Sequence, residues 1–230
     1  MAAICFDMYG TLCDTASVTR TLRRELDVAD RLVDAVESTW RSRQLRYSYQ
    51  LALMESYRPF WSVTRDALDF ALDRYDLAPD GETRDRILRS YESLEPFPGA
   101  TEVLESLSAD GHAVAVLSNG NPEMLSTLAG NAGLDGALDA LLSADAAGTF
   151  KPAPAVYEAA AADLDAAIGD CWLVSGNAWD VAGAGSAGME TVWVNRANDP
   201  FERIGADPIE TVESLSAVPE AVSDGRPTYS

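Results

Sequence analysis

The chain has 230 residues, 47% of them hydrophobic, enough for one sizeable core with a smaller satellite. No run of eighteen apolar residues offers a helical membrane span, and a formal net charge of −20 makes nucleic acid and anionic membranes poor partners. Cys5, Cys13 and Cys171 are an odd, scattered set with no CxxC pair, which argues against a disulfide framework or a zinc site and for a reducing compartment.

The first ten residues, MAAICFDMYG, have no basic stretch followed by a long apolar one, so no secretory leader is expected and the location expected is cytoplasmic. Ala3 to Phe6 is a short apolar run ending at Asp7, followed by a tight Tyr9-Gly10-Thr11 segment; such a run entering a polar turn reads as a buried strand of a parallel sheet. From about Thr15 to Leu94 helical spacing dominates. Leu32, Val36 and Trp40 fall on one face, and Val63, Ala67, Phe70 and Ala71 mark a second stripe. Asp80 can cap a third segment running through Ile87, Leu88 and Tyr91. After Pro96-Phe97-Pro98-Gly99 helix and strand alternate. Helices are expected over 100–109, 122–131, 152–164 and 181–187. Strands are expected over 113–117, 138–143, 171–174 and 191–194. The pattern predicts an α/β fold, a doubly wound parallel sheet formed by 1–14 and 95–223, with an inserted helical cap over 15–94 and a flexible tail over 224–230. His112, before a strand and far from any nucleophile elbow, reads as structural.

Asp7, Ser118 and Ser175 each end a strand, where open parallel sheets bind their ligands. Taken alone, each has an ordinary explanation. Asp7 can be a turn or capping residue, and Ser118-Asn119 and Ser175-Gly176-Asn177 can cap the helices that follow. Sixteen of the seventeen basic residues are Arg; the exception is Lys151. Arg is planar and bulky whereas Lys is a compact cation on a flexible stem, so the exception marks a position where that shape matters. The acidic, Lys-poor composition resembles proteins of salt-accumulating halophilic archaea, in which molar salt screens charge beyond about 3 Å. A GC-rich genome gives the same bias and stays open as the alternative.

Together, Asp7-Met8-Tyr9-Gly10-Thr11-Leu12, Leu117-Ser118-Asn119-Gly120, Lys151-Pro152 and Ser175-Gly176-Asn177-Ala178-Trp179-Asp180 resemble the four ordered motifs of the haloacid dehalogenase superfamily. They are most similar to those of the L-2-haloacid dehalogenases. The likeness extends to Trp40-Arg41, Gln44-Leu45, Phe150, Val156-Tyr157 and Val194-Asn195-Arg196. It implies a superfamily core with a helical cap, and hydrolysis of L-2-haloacids to D-2-hydroxyacids and halide through a covalent ester on Asp7.

The resemblance also assigns roles. Thr11 orients Asp7, and Arg41 receives the halide. Ser118 and Asn119 bind the substrate carboxylate. Lys151 neutralises Asp7 and Asp180, while Ser175, Asn177 and Asp180 handle the hydrolytic water. Tyr9, Leu45, Phe60 and Trp179 cage the alkyl group and Tyr157 contacts the substrate region, although helical aromatics are as readily plain core. Gly176 stands where close relatives would carry Ser. No metal or other cofactor is expected, because Ser175 and Asn177 stand upstream of Asp180 where a paired carboxylate would help hold Mg²⁺, and Tyr9 replaces the second Asp that phosphatases of this type use to protonate an alkoxide. A halide needs no such proton. The partner expected is a small 2-haloalkanoate, and the family resemblance implies a homodimer. Two readings compete: a Mg²⁺-dependent phosphatase-like hydrolase, and a non-catalytic protein that binds small carboxylates.

Overall fold

The computed structural model describes residues 2–224. Strand β1 (Ala3–Phe6) leads into β2 (Cys13–Asp14), then into helices α1 (Ala16–Glu25), α2 (Asp30–Leu53), α3 (Phe60–Arg74) and α4 (Gly81–Leu88). The chain returns through β3 (Glu95–Pro96), which pairs antiparallel with β2, so the helical stretch leaves and re-enters through a two-stranded stem. Alternation follows: α5 (Ala100–Ala109), β4 (Ala113–Ser118), α6 (Pro122–Ala132), β5 (Ala140–Ser143), α7 (Pro154–Asp163), β6 (Cys171–Ser175), α8 (Ala178–Ala187), β7 (Glu190–Val194), β8 (Glu210–Val212) and α9 (Val218–Asp224). The tail expected over 224–230 lies outside the described residues, apart from Asp224 at the end of α9.

A parallel sheet runs in the order β5-β4-β1-β6-β7-β8. From β1 the chain first fills one side with β4 and β5, then the other with β6, β7 and β8. Strand order therefore reverses at β1, where a crevice opens beyond the carboxyl ends. Side chains alternate between two buried faces. Ile4, Phe6, Val114, Val116, Trp172 and Val174 join a core shared with Val18, Val36, Trp40 and Leu68 of the helical stretch. Ala3, Cys5, Ala115, Leu117, Cys171 and Leu173 pack on the other face against Val156, Tyr157 and Ala184. Burial on both faces is why these strands read as continuous apolar runs.

The Asp80 side chain caps α4, accepting from the Thr83 amide at 2.7 Å, and His112 Nδ1 accepts from the Ala2 amide at 3.3 Å. Three expected details shift. The buried stripe of α2 uses Val33 with Val36 and Trp40, leaving Leu32 half-buried, because spacings of three and four must mix to follow a 3.6-residue turn. On α3, Leu68 is buried, whereas Phe70 is half-buried beneath the Arg43 guanidinium, 4.0 Å from its ring centre. Helix α7 starts at Pro154, not Pro152, which belongs to the preceding turn.

Candidate active site

The backbone presents Asp7 directly from the central strand. Its amide donates to the Val174 carbonyl at 3.0 Å, continuing the β1–β6 pairing by one residue. The chain then folds back, with the Leu12 and Cys13 amides on the Met8 carbonyl at 3.1 and 2.9 Å. Arg196, just past β7, clamps this turn. Its guanidinium donates to the carbonyls of Gly10 (3.2 Å) and Thr11 (2.8 Å) and lies 3.8 Å above the Phe97 ring. The last motif closes against the same turn. A Cβ on Gly176 would lie 2.6 Å from the Gly10 carbonyl oxygen, so backbone fills the space a Ser side chain would need. The Gly176 amide instead donates to Thr11 Oγ1 at 2.9 Å.

Two buried carboxylates share one buried ammonium. Asp7 Oδ2 accepts from Thr11 Oγ1 (3.0 Å) and Asn177 Nδ2 (2.7 Å), with Ser175 Oγ at 3.5 Å. Lys151 Nζ lies 3.2 Å from Asp7 Oδ1 and 2.9 Å from Asp180 Oδ2. Tyr157 Oη donates to Asp180 Oδ1 at 2.7 Å. Every oxygen of the two carboxylates is thus met by a protein donor. Burial alone would lower the Lys151 pKa, but Asp180 and Asp7 outweigh it and hold the ammonium above its usual range. Burial pushes Asp180 upward against the pull of Lys151. With Nζ at 2.9 Å, we read the pair as ionised at neutral pH, since an unpaired charge here would be far costlier. Burial and the Asp180 charge raise Tyr157 well above its ordinary value, so its hydroxyl stays protonated and donates.

Asp7, Lys151 and Asn177 open onto a cavity of about 80 Å³ beneath the helical stretch. Ser118 and Asn119 form its wall at the end of β4. Asn119 Oδ1 accepts from the Lys151 amide at 2.8 Å, which leaves the amide NH₂ to offer a ligand. Tyr9, Leu45, Phe60 and Trp179 line the apolar side, and Arg41 of α2 stands at the half-exposed rim. Tyr9 Oη is buried with no hydrogen-bond partner among the described residues. An unmet buried hydroxyl costs about 1–3 kcal/mol, so Tyr9 brings unspent hydrogen-bonding capacity to the cavity wall.

Four expected residues, Thr11, Ser175, Asp180 and Tyr157, stand behind the cavity rather than on it. Thr11 and Ser175 are fully buried against Asp7. Asp180, also fully buried, has its oxygens engaged by Lys151 and Tyr157. The expectation that Tyr157 contacts substrate is corrected. It projects from α7 into the opposite core and reaches Asp180 from behind. Sequence reasoning also left Thr15, Gln44 and Tyr91 out of the site, although all three line the cavity. Tyr91 donates to Gln44 Oε1 at 2.7 Å, and Gln44 Nε2 donates to Thr64 Oγ1 at 3.0 Å. The available signal was Gln44 itself, a polar residue four positions after the buried Trp40 on one helix face. Among the described residues, no group of three or more His, Cys, Asp or Glu side chains is placed to hold a metal ion.

A carboxylate at the switch point of a parallel sheet, backed by a lysine and roofed by helices, defines a class, and comparison with known proteins agrees with it. Residues 1–188 match the family model of the haloacid dehalogenase-like hydrolases. The chain is 41% identical over 216 residues to (S)-2-haloacid dehalogenase 4A of Burkholderia cepacia, covering 94% of this chain and 92% of that protein. It is 39% identical to (S)-2-haloacid dehalogenase 1 of Pseudomonas sp. strain CBS-3, covering 95% of each. Among solved structures, it superposes with a TM-score of 0.89 on the L-2-haloacid dehalogenase of Xanthobacter autotrophicus with chloropropionic acid covalently bound. That pair is 32% identical and covers 97% of this chain and 98% of the other. The chain belongs to the haloacid dehalogenase-like hydrolases, and within them to the family of the (S)-2-haloacid dehalogenases.

Proposed function

We propose that this chain hydrolyses L-2-haloacids to D-2-hydroxyacids and halide through an ester on Asp7. The observation that carries the proposal is a carboxylate held by Thr11, Asn177 and Lys151 at the floor of a small, largely apolar cavity, with Tyr9 where a proton-donating acid would stand. Asp7 attacks C2 from the side opposite the halogen. The carbon–halogen electron pair leaves with the halide toward Arg41, and C2 inverts once. Water then attacks the ester carbonyl carbon of Asp7. The bond between that carbon and the Asp7 oxygen now attached to C2 breaks, that oxygen leaves in the alcohol with a proton from the attacking water, and the carboxylate returns with a solvent oxygen. Asp180, engaged by Lys151 and Tyr157 behind the cavity, acts on that step through Lys151, which it holds beside Asp7, and the second proton of the water passes to solvent. The apolar wall of Tyr9, Leu45, Phe60 and Trp179 replaces water around the attacking oxygen and takes the alkyl group. The donors of Ser118 and Asn119 take the substrate carboxylate.

A Mg²⁺-dependent phosphatase would need carboxylate oxygens free for a hard cation. Here the residues beside Asp7 in the last motif are the uncharged Ser175 and Asn177, and Asp180 is held away from the cavity by Lys151 and Tyr157. Halide release, followed with an ion-selective electrode on L- and D-2-chloropropionate, separates the readings. We expect release from the L form, retained after exhaustive EDTA treatment. Mg²⁺-dependent cleavage of p-nitrophenyl phosphate without halide release would point to the phosphatase, and binding without turnover to a carboxylate sensor. The same proposal sets the enzyme in a reducing, salt-rich cytoplasm as a homodimer. Three buried free thiols and the net charge of −20 support the setting. The homodimer rests on the family resemblance.

A further inference from the structure

At the rim of the cavity, the cation assigned to the halide is not alone. Arg41 Nη1 lies 3.5 Å from Glu37 Oε1, one turn earlier on the same face of α2. The Glu37 side chain is 17% exposed and that of Arg41 45% exposed, so the carboxylate is the more sheltered partner. Tyr91, which lines the cavity and meets Tyr9 edge-on at 5.8 Å, is held protonated chiefly by burial, with Arg41 favouring its ionised form and Glu37 opposing it.

We propose that Glu37 is a positioning residue that weakens the grip of Arg41 on halide. The proposal rests on the reading of Arg41 as the halide acceptor. A halide is monovalent and weakly hydrated, and it must share the guanidinium with a fixed carboxylate of the same charge. The carboxylate lowers the positive potential at the rim. Product halide therefore leaves readily, and ambient chloride competes poorly. The substrate carboxylate is assigned to Ser118 and Asn119, whereas the halide shares Arg41 directly with Glu37, so Glu37 discriminates against free halide more than against substrate. No bond is made or broken by Glu37 itself. It acts only on the equilibrium between Arg41 with halide and Arg41 without.

The test is product inhibition of Glu37→Gln by chloride, with ionic strength held constant by potassium glutamate and turnover followed as bromide released from L-2-bromopropionate. Because the pair is partly exposed, the expected effect is moderate. The inhibition constant for chloride should fall about three- to tenfold, and by more than KM falls. Glu37→Asp keeps the charge within reach of Arg41 and should restore most of the wild-type value. A residue that merely supports the helix would move kcat and KM without changing selectivity against chloride, and its Asp and Gln variants would behave alike. Unchanged chloride inhibition in Glu37→Gln, with halide release intact, overturns the proposal alone. Wild-type protein that releases no halide overturns the reading beneath it, and the proposal falls with that reading.

Discussion

Lys151 is the single lysine in a chain with sixteen arginines, and its surroundings show why. The ammonium is 1% exposed and spans two carboxylates, a space a planar guanidinium would overfill. Lys151→Met should abolish halide release and leave Asp7 and Asp180 buried without a counter-cation. Breaking such a cluster costs about 3–5 kcal/mol at neutral pH. The sign of the pH dependence follows. Without the lysine, burial leaves Asp180 with a folded-state pKa above its unfolded value, so the native variant binds a proton that the unfolded chain does not. Its stability therefore rises as pH falls through the folded value. Urea unfolding at pH 7 and pH 5 should show a deficit against wild type that shrinks in acid; equal stability at pH 7, or a deficit that widens, would contradict this. Asp7 and Asn177 were legible in the sequence because their motifs sit at strand ends, and Lys151 because it is the one lysine of the chain. Tyr157 was misplaced because a buried helical tyrosine and a ligand-facing one carry the same local pattern. Only the packing of α7 against α8 shows that its hydroxyl reaches Asp180.

At the scale of elements, the site depends on how closely α8 approaches the Lys151-Pro152 turn. Gly183 permits that approach, since an added Cβ would lie 2.4 Å from Pro152 Cβ and 2.9 Å from Tyr157 Oη. Gly183→Ala should push α8 away and draw Asp180 from Lys151. We expect kcat/KM to fall at least about tenfold, and stability by about 1–3 kcal/mol, the usual cost of overpacking. Steady-state kinetics and urea unfolding check both, and wild-type kinetics would show that the approach is looser than the geometry requires. The long elements were legible because each central strand is an apolar run that ends in a polar turn. The stem of β2 and β3 and the edge strand β8 were not, since two- and three-residue strands carry no periodicity. Their pairing is decided by what the neighbouring chain offers.

For the whole molecule, 37 acidic residues face 17 basic ones, so twenty carboxylates have no cation to match them. The basic residues are spent locally. Arg86 reaches from α4 to Glu25 on α1, Arg84 pairs with Asp69 of α3, and Arg20 joins Glu95 at the stem. These surface pairs contribute little each, and the surplus charge opposes compaction. Salt shortens the reach of that repulsion from about 10 Å at 0.1 M to about 3 Å at 1 M. The melting temperature followed by circular dichroism should therefore rise by several degrees, on the order of 1 kcal/mol of added stability, between 0.1 and 1 M KCl. A midpoint unchanged or lowered by salt would remove the argument for a salt-adapted surface. The charge was legible as a sum from the sequence, but its distribution was not. The Glu37–Arg41 pair is readable as one turn of α2, but its place at the cavity rim and the Arg196 clamp on the nucleophile turn depend on which elements fold beside which.

The central claim is that Asp7 itself becomes bonded to substrate, and the origin of the product's oxygen tests it most directly. With enzyme in excess over L-2-chloropropionate in H₂¹⁸O, a single turnover is stopped and both partners are analysed by mass spectrometry. The covalent route predicts unlabelled lactate and ¹⁸O in the peptide that contains Asp7. Labelled lactate beside an unlabelled Asp7 peptide would contradict it and make Asp7 a base that activates water.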